Sequence, residues 1–287
     1  MQKRIFTIIL GLVLALAPTV SLAKKKVKGG KRARAAATQK EKNPDVMPDA
    51  VKSAVEDLTS ADPDVVVEAI QILGANAHPT AVAPLLKLLA TGPRSDITDS
   101  IIFALGSIPG DEAVPTLLTY LNHRRSDARS AALMALETKK GDGITKAVEN
   151  ALRDSDRQVR ATAALVLGAR GDASSVPILF KAFEHDVPEA AGAIGRLGTE
   201  ADSKKLTRYL GKEDIKVLLA GFEEFLKRPD FPEEAKLNIL NRLFDLAGPE
   251  VWRFAVNFKA SFPPDTSEAD NNVYKLVCRM VRQIKDK

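Results

Sequence analysis

The stretch DSDRQVRATAALVLGARGDASSVPILFKAF (residues 154–183) predicts two short antiparallel helices joined by a tight turn. Its aspartates suit a helix N-terminus, where carboxylates accept hydrogen bonds from unpaired backbone N–H groups. Gly168 is expected to close the first helix in a left-handed conformation, and Ser174 and Pro177 to begin the second. Neither helix can bury its apolar stripe alone, so neighbouring helices must cover it. The apolar residues at helical spacing are Val159, Ala163, Val166, Leu167, Ile178, Leu179, Ala182 and Phe183.

The same pattern recurs along the chain at a nearly constant interval. The apolar segments IQILG, FALG, LMALE, LVLG and GRLG end at positions 74, 106, 137, 168 and 198. A second apolar segment follows each of the first four, and a short acidic stretch precedes each unit. A repeat of this kind indicates a protein in which successive units share one core. The predicted fold is therefore an all-α solenoid of stacked antiparallel helix pairs.

A Gly-Asp pair occupies nearly the same place in three units, at positions 110–111, 141–142 and 171–172. We expect the glycine to supply a permissive backbone and the aspartate to cap the following helix. The third pair belongs to the tripeptide Arg170-Gly171-Asp172, which matches an adhesive signal. Its recurrence as a turn favours the structural interpretation, in which Arg170 is merely the residue before the turn.

With these residues the chain resembles the HEAT repeat family, in particular the short repeats found in phycobilisome bilin lyases. The resemblance rests on the LG of the first helix, the GD turn and the VP-x-LL pattern of the second, and it covers residues 60–215. Arg129 and Arg160 match a basic position of the family, where Val66, Thr98 and Ala190 stand in other units. The resemblance implies a right-handed superhelix used as a binding surface, and it brings no catalytic residues.

The two ends of the repeat array differ from its middle, as terminal caps should. Residues 48–59 are predicted to form a capping helix, which makes residues 48–213 a HEAT-like array. Residues 214–287 are predicted to be a divergent helical repeat and a C-terminal cap. Nine of the 15 aromatic residues lie between Phe222 and Tyr274, where large side chains can cover an exposed core or line a pocket.

Residues 1–23 have the features of a secretory signal peptide. Lys3 and Arg4 precede an uncharged apolar run at residues 5–17, and Pro18 and the small-residue site at residues 21–23 follow. The predicted location is therefore periplasmic or secreted. An uncleaved membrane anchor stays open, because residues 5–23 would form one uncharged stretch without the break at Pro18.

Residues 24–47 are predicted to be a disordered basic linker. Residues 1–42 contain 11 basic side chains and one acidic side chain, whereas the rest of the chain has a net charge of −5. The segment lacks apolar periodicity, so it is either a solvated spacer or an attachment site for a polyanion such as anionic lipid. The cations available for that contact are Lys24, Lys25, Lys26, Lys28, Lys31, Arg32 and Arg34.

No pattern in the sequence indicates catalysis, so we predict no enzyme activity, metal, cofactor or small-molecule substrate. The sequence contains no HExxH, CxxC, GxSxG or P-loop motif. His123 and His185 hold the same position two repeats apart, roughly 20 Å from each other, too far to share a metal ion. Cys278 is expected to be a small core residue. Trp252 alone cannot form a base-stacking platform, so no specific nucleic acid is predicted.

The second helix of each unit offers the predicted binding surface. The positions expected to point away from the core, along the concave side, are Lys87, Thr119, Asn150, Lys181 and Arg208. They form either an ordinary solvated face or a groove for an extended segment of another protein, expected to belong to the cell envelope. The main hypothesis is thus an exported, non-catalytic scaffold. The alternatives are a lyase-like factor acting on a tetrapyrrole or protein-bound chromophore, which rests on resemblance alone, and attachment through the basic tail.

Overall fold

The computed structural model describes residues 47–284, and in this range it contains fifteen α-helices and no β-strand. The signal peptide and nearly all of the basic linker lie outside the described residues, so both stay predictions. In chain order the helices are α1 (Asp49–Asp57), α2 (Pro63–Asn76), α3 (Val82–Ala90), α4 (Ser95–Ser107), α5 (Val114–Tyr120), α6 (Ser126–Leu136), α7 (Ile144–Ala151), α8 (Arg157–Arg170), α9 (Val176–Phe183), α10 (Ala190–Leu197), α11 (Glu200–Thr207), α12 (Ile215–Lys227), α13 (Glu233–Leu246), α14 (Pro249–Ala260) and α15 (Asn272–Ile284).

The helices stack in the order of the sequence, as an α-solenoid. We call α2, α4, α6, α8, α10 and α12 the first helices, and α3, α5, α7, α9, α11 and α13 the second helices. Each first helix packs against the first helix of the next repeat, and α3, α5, α7 and α9 each pack against the first helix that follows. Helix α1 covers the front of the stack by contacting α2.

One apolar core runs through all the repeats. Leu105, Leu136 and Leu167 hold the same place in α4, α6 and α8, and each is fully buried. The capping helix α1 contributes Val51 and Ala54, also buried. Since burying a leucine side chain contributes roughly 1.5–3 kcal/mol, this spine of equivalent residues is a main source of stability.

The first helices approach one another closely because small residues lie where they meet. A Cβ atom added to Gly106 would lie 2.9 Å from the Cα atom of Ala135, and one added to Gly168 would lie 2.8 Å from the Cβ atom of Ala193. These distances leave no room for a larger residue unless the helices move apart. Glycine is therefore required here by packing between helices.

This contact corrects the role expected of Gly168. The residue lies inside α8 and is buried, and the helix continues past it to Arg170. The helix ends at Gly171, whose N–H donates to the carbonyl of Leu167 at 2.7 Å. The φ angle of Gly171 is −73°, which lies outside the left-handed region. Gly168 is thus a packing residue and not a helix stop.

The register expected for the fifth unit is also wrong. Gly198 ends α10 by donating its N–H to the carbonyl of Ile194 at 2.7 Å, which is the geometry of Gly171 at the end of α8. Gly195 is consequently the counterpart of Gly168, three positions before the helix end. The sequence pattern equates the LG of GRLG with the LG of LVLG, whereas the true equivalence is shifted by three positions. The basic position of this unit is therefore occupied by Val187 rather than by Ala190.

The Gly-Asp turns are confirmed in part. Gly110 and Gly141 have positive φ angles of 106° and 153°, which favour glycine. Asp172 caps the following turn by accepting from the N–H of Ser174 at 2.8 Å. The side chain of Asp111 instead accepts from the N–H of Lys140 in the next repeat at 2.7 Å, so this aspartate joins two repeats.

Cationic side chains at or just after the C-terminal end of a first helix bind backbone carbonyl groups at the C-terminal end of the first helix in the preceding repeat. Lys139, only 4% exposed, donates from Nζ to the carbonyl of Ile108, and Arg228 donates from Nη1 to the carbonyl of Gly198. Burial lowers the pKa of Lys139. A cation is favourable here because the C-terminal end of a helix carries partial negative charge and unpaired carbonyls.

Arg170 holds this same position, which corrects its description as merely the residue before a turn. Its Nη1 atom donates to the carbonyls of Leu136, Glu137 and Lys139 at the end of α6. Burial lowers the pKa of this guanidinium. With its arginine engaged in the contact between repeats, the Arg-Gly-Asp tripeptide is structural.

Aromatic residues fill the C-terminal end of the stack. Phe222 and Phe225 of α12 are fully buried, and the rings of Phe254 and Phe258 stack with their centroids 5.8 Å apart. The indole N–H of Trp252 donates to a carbonyl of α15 at 3.1 Å. Cys278 is buried, as predicted.

Candidate protein-binding surface

The five residues predicted on the second helices all lie on the exposed side of the repeats. Two positions before each of them stands a fully buried residue, and two positions correspond to about 200° around a helix. The sequence pattern therefore places one exposed side chain at the same position in five successive repeats. The buried partners of Lys87, Thr119, Asn150, Lys181 and Arg208 are Leu85, Leu117, Val148, Leu179 and Leu206. Their placement on a concave side stays a prediction.

Three of these side chains are cations that are available to a partner. Lys87, Lys181 and Arg208 form no ion pair with any residue between 47 and 284. The Thr119 hydroxyl donates to the carbonyl of Pro115 in its own helix at 3.1 Å. We call the surface formed by the five residues the second-helix face.

The basic position that matches the family's first helix joins repeats and does not face a partner. Arg129 donates from Nε and Nη2 to the carboxylate of Asp154 at 2.8 and 2.6 Å, and from Nη1 to the carbonyl of His123 at 2.9 Å. Burial alone would raise the pKa of Asp154, but hydrogen bonds from Arg129 and from the N–H of Asp156 outweigh it and lower the pKa. The pair is held charged in the fold.

The same geometry recurs in neighbouring repeats. Arg160 donates to the carbonyl of Asp154 at 2.9 Å, six positions before it, as Arg129 does to His123. Thr98, at the equivalent position of α4, donates its hydroxyl to the carbonyl of Pro93 at 3.2 Å. A shorter side chain thus takes the place of arginine and still bonds the preceding loop.

The described residues contain no group of three or more His, Cys, Asp or Glu side chains that could hold a metal ion. The hydroxyl of Tyr209 donates a hydrogen bond to the carboxylate of Glu184. This hydrogen bond, together with burial, raises the pKa of Tyr209 to about 12. The phenol keeps its proton at neutral pH, which suits a structural contact between repeats.

A second surface, on the first helices, is not evident from the sequence. Phe103, Met134 and Leu165 are 72%, 61% and 50% exposed, although the residue two positions after each is a fully buried leucine. They recur at a constant interval and hold the same place in α4, α6 and α8. The signal for them is present in FALG, LMALE and LVLG, where hydropathy does not distinguish Phe103, Met134 and Leu165 from the buried leucine two positions after each. We call this set the first-helix row.

The seven cations predicted to contact a polyanion, at positions 24–34, lie outside the described residues. Among the helices that are described, none has the length and apolar character needed to cross a membrane.

Comparison with protein families gives a direct match. The model of the family described as HEAT repeats matches residues 48–137 and 144–227, which is more than half of the chain. No curated protein sequence matches the chain.

Several solved structures match the chain at low sequence identity. One is the complex of CpcE and CpcF of phycocyanin lyase from Nostoc sp. PCC7120, with 18% sequence identity, a TM-score of 0.46 and coverage of 92% of this chain and 99% of that one. Another is an engineered protein with 21% identity, a TM-score of 0.44 and coverage of 82% and 78%.

Proposed function

Because this chain belongs to the HEAT-repeat family, we propose that it is an exported, non-catalytic scaffold that binds another protein through its second-helix face. The observation that carries the proposal is the repetition of one exposed position in five successive repeats. Repeat proteins stack such positions into an extended surface that can follow a segment of a partner.

The chemistry of the face favours a partner with carboxylates. Lys87, Lys181 and Arg208 are exposed and form no ion pair among the described residues, so each can enter a new ion pair without losing an existing one. Thr119 and Asn150 lie between them and supply hydrogen-bonding groups. Exposed charges of this kind mainly set the rate of association and the choice of partner.

Reversing the three charges should weaken capture of the partner. We expect the triple variant Lys87→Glu, Lys181→Glu, Arg208→Glu to retain less than about a tenth of the captured protein, because each ion pair becomes a repulsion. The measurement is quantitative mass spectrometry of proteins that co-purify with the tagged full chain from its native envelope fraction.

A matched control makes the same change in net charge at three cations outside the second-helix face. Lys52, Lys140 and Lys275 are exposed and lie on α1, in the turn after α6 and on α15. Their joint replacement by glutamate should leave capture intact. Equal capture by wild type and both variants would rule out the second-helix face as the binding site.

The proposed export rests on the N-terminal sequence. If residues 1–23 are a cleaved signal peptide, the intact mass of the protein purified from its native envelope should correspond to a chain that begins at Lys24. A mass that retains residues 5–23, together with extraction only by detergent, would instead establish the membrane anchor.

A further inference from the structure

The first-helix row is a set of large apolar side chains without a partner among the described residues. Phe103 is 72% exposed, more than any other large apolar residue of the part described, and Met134 and Leu165 continue the row across two further repeats. An exposed apolar patch of this kind in a folded domain marks an interaction site. The row lies on the first helices, so it is distinct from the second-helix face.

A groove extends the row toward the front of the stack. It lies between α2 and α4, has a volume of about 530 Å³, and is lined on the α4 side by Phe103. Gln71, Gly74 and Ala75 line it on the α2 side, and none of these side chains is large enough to fill it. An apolar side chain entering this groove would contact Phe103 from the side.

The three helices at the front of the row are acidic. Helices α2, α4 and α6 carry the acidic residues Asp64, Glu68, Asp96, Asp99 and Asp127, and their single cation, Arg129, is bound to Asp154. Asp127 lies seven positions before Met134, and Asp96 lies seven positions before Phe103, so both share a face with the row.

Two of these carboxylates are already paired with arginines, since Arg94, just before α4, binds Asp96, and Arg125, just before α6, binds Asp99. Among the described residues, Asp64, Glu68 and Asp127 form no ion pair. Carboxylates that form no ion pair therefore flank the row in α2 and α6.

Helix α8 has no charged residue at the position equivalent to Asp96 and Asp127. Its cations are Arg157, Arg160 and Arg170, and the last two donate to backbone carbonyls of the solenoid. The position seven before Leu165, equivalent to Asp96 and Asp127, holds the neutral Gln158. A cationic partner therefore fits the front of the row, where it meets α2, α4 and α6.

The spacing of the row specifies the form of the partner. Packed helices lie about 8–10 Å apart, so successive side chains of the row are about 9 Å apart. Positions seven apart on an α-helix are separated by about 10.5 Å along its axis. We infer that the first-helix row binds an amphipathic α-helix of a partner protein, with apolar residues repeating every seven positions and Lys or Arg residues beside them.

The test uses a synthetic peptide as the probe. A fluorescent helix of three heptads, with leucines in a heptad pattern and lysines elsewhere, is titrated with the full chain, and binding is followed by anisotropy. One matched peptide has glutamate in place of every lysine, and another has the same composition scrambled so that the leucines share no face. We expect the lysine helix to bind at least tenfold more tightly than either.

Variants of the row locate the site. The change Phe103→Ser, Met134→Ser, Leu165→Ser should weaken binding of the lysine helix at least tenfold, whereas the charge reversal at Lys87, Lys181 and Arg208 should not weaken it. The single variant Met134→Lys provides a second test, because it removes an apolar contact and repels the lysine helix. It should weaken binding while its thermal unfolding midpoint equals that of wild type, since the side chain it replaces is exposed.

Three results would overturn the inference. These are failure of the lysine helix to bind wild type, equal binding by wild type and the row variants, and light scattering that shows a wild-type dimer made monomeric by Met134→Lys. The last result would make a second copy the occupant. None of them affects capture through the second-helix face, so the two proposals fail separately.

Discussion

Replacing Leu167 with alanine is expected to lower the free energy of unfolding by about 3 kcal/mol. The side chain is fully buried in α8, and Leu136 and Ile194 hold the same place of the buried spine in the repeats on either side. Removing it leaves a cavity in the core shared by these repeats, which the stacked helices can close only in part. The measurement is urea unfolding of the full chain followed by helical circular dichroism.

The matched control is Leu165→Ala, two positions earlier in the same helix. Leu165 is 50% exposed, so its truncation should change stability by no more than about 0.5 kcal/mol. A large loss from Leu165→Ala would show that the residue is packed against something, and a small loss from Leu167→Ala would mean that the repeats do not share a continuous core.

The repeat and its core could be predicted because both depend on local periodicity. Residues at helical spacing within one repeat, such as Val159, Ala163 and Leu167, decide which face of a helix is apolar. Repetition of the pattern then requires stacking. The capping helix α1 followed in the same way from Val51 and Ala54.

The roles of the glycines could not be predicted, because they depend on contacts between repeats. A glycine near the end of an apolar segment is typical of a helix stop, and Gly168 fits that pattern in the sequence. Its real constraint is Ala193 in the first helix of the next repeat, which no local pattern reveals. The register at GRLG could not be predicted either. Helix α10 is shorter than α8, and an LG pair happens to stand at its end, where the equivalent of Gly168 is Gly195.

The two candidate surfaces differ in how far the sequence indicates them. A polar residue two positions after a core leucine, such as Lys181 after Leu179, is predicted to be exposed by helical geometry alone. Phe103 and Met134 could not be recognised, because an exposed apolar residue has the same hydropathy as a buried one. The role of Arg170 was equally hidden, because its carbonyl partners belong to the preceding repeat.

Replacing Gly195 with alanine is expected to destabilise the protein by about 2 kcal/mol or more. A Cβ atom at this position would lie 2.2 Å from the carbonyl oxygen of Gly221 and 2.7 Å from the Cβ atom of Glu224. The obstacle includes backbone of α12, so it cannot be relieved by a change of rotamer. Helices α10 and α12 would have to separate, which disturbs their contact along its length.

Gly192→Ala is the control that separates this effect from helix propensity. Gly192 lies in the same helix, three positions earlier, and an added Cβ atom would meet nothing within 4 Å. Alanine is the better helix former by about 1 kcal/mol, so this change should stabilise the protein. The two substitutions are chemically identical and should have opposite signs in urea unfolding. If both variants were stabilised, the close approach of α10 and α12 would be incorrect, and with it the requirement for small residues where the first helices meet.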